Sequence, residues 1–142
     1  MKTVYIIGSM SNEVVPETAK QIRAAGFEAF DSWYSPGPEA DEYWKAHAIQ
    51  QGQSYSEALK DYHARNVFEF DKRHLDRCDM ALLVMPAGRS GHLELGYMIG
   101  SGKRAWILLD SPDRWDIMVQ FATGWSESLD EIIHEMKETN NE

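Results

Sequence analysis

The chain has 142 residues, 43% of them hydrophobic and 11% aromatic, enough for one globular domain with a real core and too few for two. Its formal net charge of −9 argues against duplex nucleic acid or an anionic membrane as partner, since both select basic surfaces. No apolar stretch nears the ~20 residues of a bilayer span, and the lone cysteine, Cys78, forbids an intrachain disulfide and suits a reducing, cytoplasmic setting.

Residues 4–7 (Val-Tyr-Ile-Ile) form a continuous apolar run, fit for a central parallel strand covered on both faces. The short apolar start is too small for a signal peptide. A turn, Gly8-Ser9-Met10-Ser11-Asn12, leads into a helix over residues 13–25. Val15, Ala19 and Ile22 share its buried face, and Gly26 ends it. Residues 27–31 read as a second strand.

The stretch 33–64 is an elaboration. Ser35-Pro36-Gly37-Pro38 forbids helix or central strand. A short helix is predicted over 39–50, broken by Gly52. Ser54 and Glu57 have the spacing of a capping box that opens a long helix to Arg77. Phe68, Asp71, Leu75 and Cys78 fall on one face of that helix, which is predicted to be apolar and core-facing.

Residues 79–85 give the third strand and 91–102 its following helix. The fourth strand covers 105–109, followed by a turn at 110–113. Residues 115–122 form a short helix or an irregular segment. Ser128 and Glu131 suggest a second capping box, opening a helix through Met136. Residues 137–142 are polar and expected to fray. Strand–helix alternation of this kind predicts an α/β fold, a doubly wound parallel sheet of about five strands in a flavodoxin- or Rossmann-like three-layer sandwich, with a helical insert after strand two. The whole chain, 1–142, is one domain. Its functional loops are expected at the C-terminal strand ends.

The segment Arg89-Ser90-Gly91-His92-Leu93-Glu94-Leu95-Gly96-Tyr97 carries the strongest chemical signal. It reads as the loop and helix start beyond a buried strand. Glu94 then falls in the first helical turn, where the helix dipole favours its charge and a nucleophilic role becomes available. The plainer alternative is an exposed first-turn acid. Gly96 and Gly100 inside this helix cost about 1 kcal/mol each against Ala, so close packing against them is expected. Asp71 lies on the apolar stripe, where a carboxylate must be paired, hydrogen-bonded or protonated. It is either a partner of Arg73, Arg77 or a backbone N–H, or a second acid beneath the Glu94 crevice. Glu69 is a weaker third candidate.

Tyr5 is either core or an orienting hydroxyl for Glu94. Gly8 and Ser9 in the first loop, and Gly88, Arg89, Ser90 and Gly91 in the third, are candidate anion cradles, with the Arg89 fork suited to phosphate. Most rings of the insert, Trp33, Tyr34, Tyr43, Trp44, Tyr55 and Tyr62, read as packing or subunit interface, with Trp33 best placed to stack on a planar base. Neither a Walker loop nor G-x-G-x-x-G is present. His47, His63, His74, His92 and His134 lack metal-ligand spacing. No cofactor and no metal are expected. His92 reads as a solvated helix-start residue close to the candidate site.

These residues together resemble the nucleoside 2-deoxyribosyltransferase family, including its 2′-deoxynucleoside 5′-phosphate N-hydrolase branch. The likeness covers residues 3–9 and 69–125. It rests on Val4-Tyr5-Ile6-Ile7-Gly8-Ser9, on Asp71 eight residues before Asp79, and on Ser90-Gly91-His92-Leu93-Glu94-Leu95-Gly96-Tyr97. The resemblance implies that Glu94 attacks the anomeric carbon of a (deoxy)ribose and that Asp71 protonates or positions the departing base. It implies that Tyr5 belongs to the site and that Ser9, Ser90 and Gly91 hold the sugar or its 5′ substituent. Arg89 stands where many relatives carry an acid, which tilts the reading toward a 5′-phosphate and hydrolysis. A small nucleoside or nucleotide substrate follows, together with a homo-oligomer whose sites lie near subunit interfaces, with residues 118–123 as the segment facing a neighbour. Deoxyribosyl transfer between bases is the close variant. A TIR-like NAD glycohydrolase and a non-catalytic nucleotide-sensing module are the rivals.

Overall fold

The computed structural model of the protein describes residues 1–34, 36–37, 39–112 and 114–140. Five strands form one sheet: β1 (Thr3–Ile7), β2 (Glu28–Phe30), β3 (Met80–Val84), β4 (Arg104–Leu108) and β5 (Gly124–Ser126). Their order is β2-β1-β3-β4-β5 and every pairing is parallel. All residues of β1 and β3 are buried, which explains why both read as unbroken apolar runs rather than alternating ones.

Helices cover both sides of the sheet. They are α1 (Val14–Ala24), α2 (Ala40–Gln50), α3 (Tyr55–Lys60), α4 (Tyr62–Arg77), α5 (Arg89–Gly100) and α6 (Leu129–Asn140). Strand side chains alternate between two cores. Val4, Ile6, Leu82 and Trp106 meet Val15 and Ile22 of α1 and Ile132 of α6. Tyr5, Ile7, Leu83 and Ile107 meet Leu75 of α4 and Leu95 and Met98 of α5.

Several elements depart from the sequence expectation. The predicted long helix after Ser54 is two helices. Asp61 closes α3 and caps α4 in extended conformation, its carboxylate accepting from the Tyr62 N–H at 2.8 Å. The Ser54–Glu57 capping box forms in full. The second box forms by half. Glu131 N–H donates to the Ser128 hydroxyl at 3.3 Å, while the Glu131 carboxylate accepts from Ser126 instead.

β5 supplies a strand that the residue pattern around Trp125 did not mark. The segment before it is a 3-10 turn, Ile117–Phe121. The last helix continues to Asn140, so residues 137–140 are helical. The Arg104 guanidinium donates to the Thr139 carbonyl at 3.2 Å and ties down its last turn. Ser35 and Pro38 of the predicted breaker, Asp113 of the predicted turn, and Asn141 and Glu142 of the tail lie outside the described residues.

Candidate active site

In this strand order the chain reverses direction across the sheet between β1 and β3, and ligands of open α/β sheets bind at that switch point. Gly91 lets α5 approach it. A Cβ there would stand 3.2 Å from Ile7 and 3.3 Å from Leu83, so only a glycine brings the helix onto the strand ends without displacement. Gly91 is buried, packed against Ile7 and Leu83.

α5 begins at Arg89, so Glu94 is its sixth residue and belongs to the second turn, not the first. The dipole argument for its charge therefore lapses, since that field fades within one turn. Neighbours set its electrostatics instead. Burial, followed by the charge of Asp71, pushes Glu94 up to about 7, against a hydrogen bond from Tyr5 that favours the carboxylate. Burial alone pushes Asp71 up to about 6. Burial, then Glu94 and Asp71, raises the Tyr5 phenol far above its usual range, so it stays a donor. The three side chains come from β1, α4 and α5. Asp71 pairs with neither Arg73 nor Arg77 among the described residues. Glu69 is exposed.

Aromatic groups wall the site. Phe30 lies 5.1 Å from the Tyr5 ring, and His74 stacks on Phe30 at 4.0 Å. The Arg77 guanidinium caps Phe30 at 5.3 Å and donates to His74 Nδ1 at 2.7 Å. Burial and the two nearby arginines hold His74 below its usual range, so it is neutral and able to accept. On the opposite flank the Tyr97 hydroxyl donates to Asp76, which also pairs with Lys72 at 2.9 Å and pins α4 to α5. Phe68 departs from expectation. It shares the Asp71 stripe but is 63% exposed, because the stripe leaves the core as α4 passes the end of the sheet.

The two candidate cradles are joined by a residue that the sequence did not single out. Asn12 is 7% exposed. Its amide donates to the carbonyls of Val84 at 3.3 Å and Pro86 at 3.4 Å, while its Oδ1 accepts from Val14 N–H at 3.1 Å. A buried side-chain amide bridging two backbone segments fixes their spacing. The signal available in sequence was only a polar residue closing a loop. Ser9 pairs with Ser11 at 2.8 Å. Gly8 lets Val15 approach, since a Cβ would lie 2.9 Å from it. Trp33 is half-buried beside Gly8 and donates its indole N–H to the Ile6 carbonyl at 2.6 Å. Gly88 caps α5 through its backbone alone, and Arg89 and Ser90 are exposed at the helix start. Arg89, Gly88 and His92 border a shallow depression.

A cavity of about 1000 Å³ lies on the other flank of α5, lined by His92, Gly96, Ile99, Trp115, Val119 and Trp125, and touches neither Glu94 nor Asp71. Gly96 and Gly100 border it with open space where a Cβ would sit. The close packing expected around these two glycines is absent, and they face the cavity instead. No group of three or more His, Cys, Asp or Glu side chains among the described residues is arranged to hold a metal.

No family model matches the chain, and no curated protein matches it in sequence. Solved structures do match in fold. A Clostridium botulinum CMP N-glycosidase, BcmB, superposes with a TM-score of 0.56 at 12% identity, covering 96% of this chain and 99% of that one. A conserved protein from Enterococcus faecalis V583 superposes with a TM-score of 0.66 at 9% identity, covering 98% and 99%. At these identities the likeness establishes the three-layer α/β fold over nearly the full length.

Proposed function

We propose that the protein is an N-glycosidase that cleaves the base–sugar bond of a nucleoside 5′-monophosphate or deoxynucleoside. One observation carries this reading: Glu94 and Asp71, from different helices, meet beside the buried Tyr5 at the β1/β3 switch point, both with raised proton affinity. The fold shared with a protein named as a CMP N-glycosidase supports it and makes cytidine monophosphate the first substrate to try.

In the proposed mechanism a Glu94 carboxylate oxygen attacks C1′ of the sugar. The C1′–N bond breaks, its electron pair leaves with the base, and the Asp71 proton goes to the base. A glycosyl ester on Glu94 results. Asp71, now ionised, takes a proton from water as the water oxygen attacks C1′, and Glu94 leaves as carboxylate. The products are free base and the sugar or its 5-phosphate. Tyr5 steadies the charged Glu94, and Asn12 fixes the spacing of the loops that carry Ser9 and Arg89, where a 5′-phosphate would lie. Capture of the ester by a second base in place of water turns the same first step into deoxyribosyl transfer.

The deciding assay follows liberated base by chromatography, from nucleosides, nucleotides and NAD, with and without an acceptor base. Base released from a nucleotide by the wild type, and lost in Glu94→Gln, supports the proposal. Release of nicotinamide from NAD alone favours the TIR-like activity. Tight binding without turnover, unchanged in Glu94→Gln, favours a sensing module.

The apolar face around the large cavity supports a homo-oligomer. Trp115, Ile117, Met118 and Phe121 are all exposed there, and contiguous apolar surface of this kind favours self-association. Phe121→Asp should convert the assembly to monomer in sedimentation velocity. No helix among the described residues is long and apolar enough to cross a membrane. The single thiol, buried at Cys78, fits a cytoplasmic setting.

A further inference from the structure

We propose that Phe68 is the platform on which the substrate's base stacks, a base-binding residue whose role rests on the glycosidase reading above. The argument begins with heights along the sheet. Phe30 pairs in register with Tyr5, and His74 of α4 stacks on Phe30, so His74 stands level with Tyr5. α4 leads into the start of β3 and therefore runs against the strands. Going backward along it from His74, Asp71 is about 4.5 Å higher and Phe68 about 9 Å higher, at ~1.5 Å per residue.

β1 climbs about 3.3 Å per residue. Asp71 thus stands between Ile6 and Ile7, and Phe68 level with Gly8, where the strand ends and the crevice opens. Helical side chains lean toward their own N-terminus, which for Phe68 is outward, toward the mouth. Exposure agrees with these heights. Along the one stripe Cys78 is 1% exposed, Leu75 5%, Asp71 half-buried and Phe68 63%.

A base whose leaving nitrogen takes the Asp71 proton extends away from Glu94 and past Asp71. The first large apolar surface on that stripe is the Phe68 ring, one turn further out. Among the described residues it has no ring partner, whereas Phe70 is engaged with Phe30 and His74. Trp33, the other planar group near the crevice, is packed against both cores and meets the Tyr34 ring edge-on at 5.8 Å. An aromatic platform accepts any base, since every base presents a π-face. Phe68 therefore sets the affinity for a planar base while the loops set the affinity for the phosphate.

The test measures binding by calorimetry in a Glu94→Gln background, with cytidine and adenosine 5′-monophosphates and with ribose 5-phosphate, which has no base. Phe68→Ala should weaken both nucleotides about tenfold, within the range found for base–aromatic stacking, leave ribose 5-phosphate unchanged, and be rescued by Phe68→Trp. In the active enzyme Phe68→Ala should raise KM and spare kcat. Equal loss for ribose 5-phosphate, unchanged nucleotide affinity, or no nucleotide binding in the parent overturns the platform. Absence of base release by the wild type overturns the glycosidase while the binding comparison still decides the role of Phe68. Because Phe68 is exposed, its removal leaves the core intact.

Discussion

Asp71 on α4 and Glu94 on α5 titrate as a pair: the charge of Asp71 is, after burial, the largest influence holding the Glu94 proton to about 7. Two carboxyls that repel in a partly dry site lose their protons in separate steps that belong to both. Asp71 rises to about 6, so between these values the pair keeps one proton. That proton sits mainly on Glu94; the form the proposed mechanism uses is the minor tautomer, with the proton on Asp71 and the charge on Glu94, where Tyr5 donates.

Base release should therefore follow a bell-shaped pH profile with limbs near pH 6 and pH 7. Below the lower limb both groups are protonated and no nucleophile exists. Above the upper limb both are ionised and no acid remains. Tyr5→Phe removes the hydrogen bond that lowers the Glu94 value, so its alkaline limb should move upward. Steady-state kcat/KM from pH 5 to 9 measures this. A profile that does not bend near neutrality contradicts the shared-proton description.

The same pair should weaken the fold at high pH. Glu94 titrates near 7 when folded and at about 4.5 in its ordinary state, so the folded chain holds a proton that the unfolded chain releases. Stability then falls as pH rises from about 4.5 to 7 and stays low above that. Glu94→Gln has no such liability. Its thermal midpoint should exceed that of the wild type at pH 8 and match or fall below it at pH 4, while base release is lost. Differential scanning fluorimetry at the two pH values separates the outcomes. Asp71→Asn should show the same trend and slow the reaction by ~10²–10⁴-fold.

Asn12→Ala should leave the Val84 and Pro86 carbonyls short of a donor in a buried place. The expected cost is about 1–3 kcal/mol, read as a lower midpoint in urea unfolding. KM should rise for phosphorylated substrates in particular, because the two loops lose their common spacing.

Arg89 is exposed and has no side-chain partner among the described residues. Its removal should be neutral for stability. If it meets a 5′-phosphate, Arg89→Ala should raise KM about tenfold for nucleotides, the lower range for a hydrogen bond to a charged group. Nucleosides should be unaffected. Equal losses for both classes would leave the phosphate without a ligand at this position.

The sheet was legible because β1 and β3 are covered on both faces and their sequences are correspondingly apolar throughout. The pairing of Asp71 with Glu94 was legible from helical phase, since Leu75 and Cys78 point the stripe inward. β5 was not, because its three residues, Gly124–Ser126, offer one tryptophan and no alternation. The division at Asp61 was hidden because both halves satisfy helical spacing and an aspartate there is ambiguous between interior and cap. Asn12 was missed for a related reason. A loop asparagine looks solvated until the fold shows which carbonyls it must satisfy. For Gly96 and Gly100 the energetic puzzle was identified correctly but its resolution was not, since they border a cavity rather than a tight contact.

The corner at Asp61 has an evolutionary consequence. α2 and α3 join α4 through one extended residue and not along a common axis. The rotational setting of Asp71 is fixed by Leu75 and Cys78, which lie in the core beyond that corner. The arm is therefore the part of the rim whose length can vary with least effect on the geometry below.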